Sequence, residues 1–190
     1  MGDAVKKLNE WHKLGLDYSL SINLSPSHFL SPCFSEDLAG ALKGCPLKVR
    51  RNLKLEILET TALDDAEIVI DRLSSCEQLG IDVALDDFGT GYSSLDYFRR
   101  LPVQEIKIDR SFVGEMLNDR EDEMIVGAII GLSKNFERRV VAEGIEDEAT
   151  EKRLVELGCR YGQGYHYSRP VDVDKALKWA NEYERNSKFS

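Results

Sequence analysis

The sequence predicts an α/β protein in which parallel strands form part of a (β/α) barrel. Three observations support this prediction. Segments with a strand period and segments with a helical period alternate about six times, no low-complexity linker interrupts them, and the strand segments end near a polar residue. Such alternation is typical of parallel strands joined by crossover helices. Because 190 residues is the size of one domain, we expect residues 1–190 to form a single domain.

The first half of the chain supplies three of the predicted strands. Apolar residues at spacings of three open the chain and predict a helix that ends at Gly15. Pro26 and Pro32 predict a loop after the first strand. In chain order, the other predicted elements are strands over 18–25, 53–59 and 82–87, with a helix over 64–79 between the last two.

The second half continues the same alternation. Its predicted elements are a short helix over 94–99, a strand over 105–109, a helix over 121–135, a strand over 139–143, a helix over 148–157, a strand over 161–165 and a closing helix over 173–184. The chain therefore has about six predicted strands, whereas a closed barrel of this type has eight. We expect an incomplete barrel.

The positions of the polar residues distinguish a barrel from a doubly wound sheet. One polar residue lies near the C-terminal end of each predicted strand: Asn23, Glu56, Asp86, Lys107, Glu143 and Gln163. Since neighbouring residues of a strand point to opposite faces, these side chains would point away from the helix-packed face and into a barrel lumen. A doubly wound sheet has helices on both faces and one ligand crevice near a switch point. The barrel is therefore favoured.

Together with Asp87, these residues have the composition of a divalent-cation site. Oxygen ligands without His or Cys suit Mg²⁺ or Mn²⁺, and clustered carboxylates would repel each other without cations. Two ions roughly 3.5–4 Å apart could satisfy them and activate a water for attack on phosphorus, with Lys107 holding that water or the phosphoryl oxygens. Each residue also has a structural alternative. Asn23 could cap a loop, Lys107 could form an ion pair, Glu59 could lie on the surface and Asp87 could be an N-cap.

Composition narrows the class of partner and the compartment. The net charge of −9 argues against a nucleic-acid polymer as partner, although bound cations would still allow a small anionic ligand. No apolar run approaches the ~20 residues of a membrane span, and no signal peptide is recognisable. The four cysteines form no C-x-x-C pair and are expected to be reduced. We expect a cytoplasmic protein, or the cytoplasmic part of a larger signalling protein.

Residues 86–95, DDFGTGYSSL, resemble the signature of the EAL domain family. Five further motifs follow in the order of the family: INLS at 22–25, LEILE at 55–59, IKIDRSF at 106–112, VAEGIE at 141–146 and GQGY at 162–165. The resemblance implies a TIM-type (β/α) barrel that hydrolyses cyclic di-GMP to linear pGpG. It also implies a two-metal site that uses Mg²⁺ or Mn²⁺.

The resemblance implies roles for individual residues. By position, the metal ligands are Asn23, Glu56, Asp86, Asp87 and Glu143, with Gln163 as a direct or water-mediated partner, and the catalytic residues are Lys107, Glu143 and Asp87. Lys107 resembles the family lysine that contacts the nucleophilic water. The resemblance leaves two ways to deprotonate that water: the metal alone ionises it, or a nearby carboxylate acts as general base. Glu59 and the 87–94 segment resemble the parts that order the metal loop and a dimer contact, and Glu146 and Asp109 resemble supporting residues. His166 and Tyr167 stand where the family usually has apolar residues, and we interpret them as structural.

One departure from the family concerns the segment that gives it its name. Family members begin with two further strands, the second of which carries Glu-Ala-Leu with a metal-ligating Glu, followed by an Arg that contacts substrate. No Glu-Ala-Leu occurs in these residues. We therefore expect a barrel without its first two strands, one compromised metal position and weak or no activity for this chain, although the parent protein would be an active phosphodiesterase.

Two histories fit this departure. The chain is either a trimmed part of a larger signalling protein or a naturally shortened, inactive module that binds cyclic di-GMP or a protein partner. In both cases the unpaired edges of the sheet predict a homodimer or a strand-exchanged assembly instead of a monomeric barrel.

Overall fold

The computed structural model describes residues 1–63, 65–91 and 95–187. Within these ranges, the strands form one sheet: β1 (Leu20–Asn23), β2 (Leu53–Leu58), β3 (Asp82–Phe88), β4 (Glu105–Ile108), β5 (Arg139–Glu143) and β6 (Tyr161–Gln163). All neighbours are parallel and the strands lie in chain order, so that β1 and β6 are the two edges. The predicted α/β fold with an incomplete barrel is confirmed.

Helices precede, follow and connect the strands. In chain order they are α1 (Gly2–Lys13), α2 (Pro26–Phe29), α3 (Phe34–Ala41), α4 (Leu47–Arg50), α5 (Glu59–Ala62), α6 (Ala66–Gln78), α7 (Leu95–Arg100), α8 (Arg110–Glu115), α9 (Arg120–Asn135), α10 (Glu148–Glu156) and α11 (Val173–Ser187). The predicted starts of two helices, at residues 64 and 94, lie outside the described residues.

The predicted loop after β1 is wrong, because three short helices fill much of it. Pro26 begins α2, and the Ser25 side chain accepts a hydrogen bond from the His28 backbone N–H. Proline is well suited to the first turn of a helix because the missing N–H would have no partner there. β2 is also shorter than predicted, since Glu59 is already the first residue of α5.

The apolar core lies between the sheet and the helices. Alternate strand residues are buried on the helix-packed face, including Leu55, Ile57, Leu85, Ile106 and Ala142. α6 packs Val69, Leu73 and Cys76 into the core, and α9 packs Val126, Ile129 and Ile130. Full burial of each large apolar side chain stabilises the fold by about 1.5–3 kcal/mol. The core therefore fixes which face of every strand remains for polar side chains.

The opposite face of the sheet carries two ion-pair layers that cross β3. Lys54 on β2 contacts Glu105 on β4 at 2.6 Å, and two residues further along, Glu56 on β2 contacts Lys107 on β4 at 2.8 Å. Ala84 lies on β3, between β2 and β4, and is fully buried. It is in register with both Glu56 and Glu105. A small side chain at this position leaves room for ion pairs between strands that are not neighbours.

All four cysteines are free, with Cys33 exposed and Cys45, Cys76 and Cys159 buried. In the described part of the chain, no helix has both the length and the apolar character needed to cross a bilayer.

Candidate active site

Lys107 lies at the centre of a cluster that four adjacent strands build. Its side chain comes from β4, and the residue is only 4% exposed. The Nζ atom lies 2.8 Å from Glu56 Oε2, 2.9 Å from Asp86 Oδ1 and 2.8 Å from Glu143 Oε1, so that β2, β3, β4 and β5 each contribute one charged group. The C-terminal edge of the sheet therefore carries a compact acidic site with one central ammonium.

The surroundings shift the pKa values of this cluster. Burial lowers the pKa of Lys107, but hydrogen bonds to Glu143, Glu56 and Asp86 outweigh it, and the net direction is upward. The pKa of Glu143 is raised by burial and by the negative charges of Asp86 and Glu56, while Lys107 opposes that rise. Lys107 thus keeps its proton at neutral pH, and Glu143 holds one more readily than a free glutamate.

A β-bulge in β3 directs two consecutive aspartates to one site. Leu85 pairs with Ile106 and Phe88 pairs with Ile108, so Asp86 and Asp87 together stand opposite a single residue of β4. Successive side chains of a regular strand point to opposite faces, and an inserted residue breaks that rule. Asp87 has a φ of 53°, in the left-handed region that aspartate adopts more readily than most residues. As a result, Asp86, Asp87 and Glu143 each offer a carboxylate oxygen, all within 4.8 Å of one another.

Asp87 shares a hydrogen bond with Asp109, which immediately precedes α8. Burial raises the pKa of Asp87, and a hydrogen bond with Asp109 raises it further. Burial also acts to raise the pKa of Asp109, but hydrogen bonds from the Ser111 hydroxyl (2.5 Å) and the Ser111 backbone N–H (2.8 Å) outweigh it and lower that pKa. Asp87 therefore holds a proton more readily than Asp109 does.

Glu59 holds the turn that follows the bulge. Its Oε2 accepts the backbone N–H groups of Gly89 at 2.9 Å and Gly91 at 3.0 Å, and the residue is only 2% exposed. A Cβ atom on Gly91 would lie 2.9 Å from Glu59 Cδ, and Gly89 has a φ of 105°. The structural alternative that placed Glu59 on the surface is wrong, because the side chain is buried against this turn.

Asn23, at the end of β1, completes the inner ring of polar side chains. With its amide nitrogen facing the carboxylates, Asn23 donates to Asp86 Oδ2 at 3.2 Å and to Glu56 Oε2 at 3.3 Å. Which end of an amide faces its neighbours follows from the hydrogen bonds available. The same side chain can therefore present its oxygen to a cation instead.

A cavity of about 230 Å³ opens beside this ring. Its walls include Asp87, Asp109, Arg110, Glu143, Glu146 and Gln163. Gln163 lies in register with Glu143 on the edge strand, and Glu146 follows β5. Arg110 was not among the predicted site residues, although its position directly after Asp109 was a signal that it would lie at the same edge. Arg110 thus lines this cavity together with members of the acidic ring, the name used here for Glu56, Asp86, Asp87 and Glu143 around Lys107.

The donor set fits a hard divalent cation. Glu56, Asp86, Asp87 and Glu143 supply four carboxylates, and Lys107 supplies one compensating charge. Asp86 Oδ1 is buried and has no hydrogen bond of good geometry, although it lies at ion-pair distance from Lys107. Oxygen ligands with excess negative charge are the donors that Mg²⁺ and Mn²⁺ prefer.

Comparison with known proteins identifies the family to which this geometry belongs. A family profile described as the EAL domain matches residues 1–170. The chain belongs to the EAL domain family. MucR of Pseudomonas aeruginosa, a bifunctional diguanylate cyclase/cyclic di-GMP phosphodiesterase, is 36% identical over 178 residues, which are 93% of this chain and 26% of that protein. The cyclic di-GMP phosphodiesterase PA2567 of the same species is 35% identical over 93% of this chain and 30% of its own length.

Solved structures of EAL domains share the fold. The PaMucR phosphodiesterase in complex with c-di-GMP superposes with a TM-score of 0.86 at 36% identity, and the match covers 93% of this chain and 71% of that one. The EAL domain of Mycobacterium smegmatis DcpA has a TM-score of 0.85 at 36% identity, with 93% and 80% covered. This chain therefore spans less than a third of the two curated relatives but most of these two structures.

Proposed function

We propose that this EAL domain is a cyclic di-GMP phosphodiesterase that hydrolyses its substrate to linear pGpG at the Lys107 site. The observation that carries the proposal is the convergence of Lys107 with carboxylates from three other strands, next to the paired aspartates of the β3 bulge. The proposal draws support from the relatives, two of which are named as cyclic di-GMP phosphodiesterases. It also draws support from the superposition on a phosphodiesterase complexed with c-di-GMP.

In this proposal, two divalent cations, Mg²⁺ or Mn²⁺, occupy the acidic ring. The residues that would hold them are Asn23, Glu56, Asp86, Asp87, Glu143 and Gln163. When bound, such cations lower the pKa of a water molecule and neutralise charge on the phosphoryl oxygens. The bulge contributes to cation binding because it presents Asp86 and Asp87 from adjacent positions of one strand.

The side chains of this chain would then orient the substrate and manage the protons. Lys107 has a raised pKa and remains an ammonium, so it would donate hydrogen bonds to the attacking water or a phosphoryl oxygen. Glu143 has a raised pKa and lies at the cavity wall, which suits a carboxylate that accepts a proton. Glu59 would keep the turn at 89–91 in place.

We further propose that these residues alone have weak activity and assemble with another chain. The family draws one carboxylate from a Glu-Ala-Leu segment, and that sequence is not among these 190 residues. Both edge strands offer backbone groups for pairing, and all three residues of β6 are exposed. A homodimer or strand-exchanged assembly would cover those edges.

The test measures turnover of cyclic di-GMP with Mn²⁺ for the chain, for Glu56→Ala and for Glu36→Ala, an exposed control on α3. We expect low turnover that Glu56→Ala abolishes and Glu36→Ala leaves unchanged, with folding of each variant checked by circular dichroism. Turnover that survives Glu56→Ala would contradict the assignment of the site.

A non-catalytic receptor is the second candidate, and the ion pairs of Lys107 favour it. Lys107 already neutralises part of the ring without any cation, so a ligand could bind this site without metal. Absence of turnover in all variants, together with cyclic di-GMP binding that survives chelation of divalent cations, would select the receptor. Absence of both turnover and binding would contradict both candidates.

A further inference from the structure

A basic cavity lies at the N-terminal ends of β5 and β6, away from the Lys107 site. Its volume is about 360 Å³, within the usual range of small-molecule sites, roughly 300–1,000 Å³. Four cationic side chains line it: Lys134, Arg138, Arg139 and Arg160. Of the lining residues in the described chain, Glu137 alone is acidic. A cationic cavity in a protein of net charge −9 is a local concentration of positive charge that needs an explanation.

Arg138 is held in place by two backbone carbonyl groups and an aromatic ring. Its Nη2 donates to the carbonyl oxygens of Phe98 at 2.7 Å and Leu101 at 2.8 Å, and its guanidinium lies 4.1 Å from the centre of the Phe98 ring. Its Nη1 is buried and has no hydrogen-bond partner. Because a nitrogen without exposed surface cannot be reached from the cavity, Arg138 adds positive charge to the cavity wall but no free donor.

The other cations differ in how far the protein neutralises them. Arg139 contacts Glu105 at 3.3 Å and Asp82 at 3.9 Å. Among the described residues, neither Lys134 nor Arg160 has a carboxylate within ion-pair distance. Lys134 lies in the last turn of α9, where a cation favours the helix dipole. That role does not account for Arg160, which follows α10.

We propose that this cavity binds a small phosphorylated molecule, whose phosphate oxygens accept hydrogen bonds from Lys134 and Arg160. Guanidinium groups match phosphate oxygens in geometry as well as in charge. The site is independent of the proposed hydrolysis, because Arg139 begins the strand that Glu143 ends, about 13 Å away at the rise of a parallel strand.

The probe is inorganic pyrophosphate, titrated by calorimetry into the metal-free chain so that the acidic ring repels it. The variants are Lys134→Gln and Arg160→Gln, both on exposed positions, and the matched control is Arg120→Gln, an exposed arginine at the other end of α9. We expect each cavity variant to weaken binding at least roughly tenfold, the value of one charge-assisted hydrogen bond. The control should bind like the original chain.

Amide chemical shifts provide a second readout. On addition of pyrophosphate, we expect changes concentrated at Lys134, Gly158 and Arg160, and none at Gly89 or Gly144 beside the acidic ring. No binding at millimolar pyrophosphate, or an equal loss in all three variants, would overturn the proposal, since the anion would then respond only to total charge.

Discussion

Lys107 Nζ lies 2.8 Å from Oε2 of Glu56, although their strands, β4 and β2, are not neighbours in the sheet. The backbones of two strands separated by a third lie about 10 Å apart. The long side chains therefore meet above β3, where Ala84 occupies little volume. The site depends on this crossing, because it brings the β2 carboxylate to the same ammonium as those of β3 and β5.

Lys107→Met should destabilise the chain by about 3–5 kcal/mol near neutral pH, because buried carboxylates would lose their counter-charge. Burial already raises the pKa of Glu143 above that of a free glutamate, and without Lys107 this pKa would rise further. The destabilisation therefore grows as pH rises and shrinks on acidification. Urea unfolding of the metal-free protein at about pH 5 and about pH 8 measures this difference. Lys152→Met, at an exposed position, is the control, and an equal loss at both pH values would contradict the explanation.

Ala84→Leu should destabilise the fold by about 1–3 kcal/mol, the usual cost of overpacking a filled site. The added side chain would also occupy the space through which Lys54 reaches Glu105 and Glu56 reaches Lys107. Denaturant unfolding gives the free energy, and Ala149→Leu on the exposed face of α10 is the matched control. Full stability of Ala84→Leu would mean that the ion pairs do not need this space.

Glu59→Gln should loosen the turn at 89–91 and cost about 1–3 kcal/mol, because the amide lacks the charge that strengthens both hydrogen bonds. Faster hydrogen exchange at the Gly89 and Gly91 amides is the specific readout. Glu77→Gln, on an exposed position of α6, should leave both rates unchanged. Unchanged hydrogen-exchange rates in Glu59→Gln would show that the turn is stable without the charge of Glu59.

Mn²⁺ should stabilise the chain against unfolding, and Asp87→Asn should reduce that effect. A ligand that binds only the folded state adds about 2.7 kcal/mol at a concentration of 100 times its Kd. Thermal unfolding with and without Mn²⁺, followed by addition of a chelator, measures the gain and its reversal. Asp172→Asn, at an exposed site, serves as the control. An identical Mn²⁺ effect in both variants would place the ion elsewhere.

Thiol labelling should distinguish Cys33 from the other cysteines. Cys33 is exposed, whereas Cys76 is buried and burial raises its pKa to about 12. Since the thiolate is the reactive form, the native chain should take up one label quickly and the remaining three only after unfolding. Mass spectrometry counts the labels. Rapid reaction of Cys76 in the native chain would mean that the α6 side of the core opens readily.

Residue patterns were sufficient to predict the six strands and their polar ends. Period-two alternation identifies strands locally, and parallel strands place their C-terminal ends together, so Glu56, Asp86, Lys107 and Glu143 could be grouped in advance. Helices of four residues, such as α2 and α5, are too short to show a period. The β3 bulge was not predicted either. It lies at the end of the strand, where one inserted residue leaves the preceding apolar alternation unchanged.

Two other features depend on distances that the sequence does not contain. The ion pairs across β3 join side chains of two strands that are not neighbours in the sheet, and the basic cavity gathers residues from the ends of α9, β5 and β6. Neither follows from spacing along the chain.

The two ion-pair layers reverse their charge order, and this reversal guards against strand slippage. β2 carries Lys54 then Glu56, while β4 carries Glu105 then Lys107. A slip of two residues would keep every side chain on its proper face, so the apolar pattern alone cannot forbid it. Such a slip would bring Glu56 towards Glu105 in one direction, or Lys54 towards Lys107 in the other. Like charges would then meet in a buried position, and the misaligned sheet would be excluded by electrostatic repulsion.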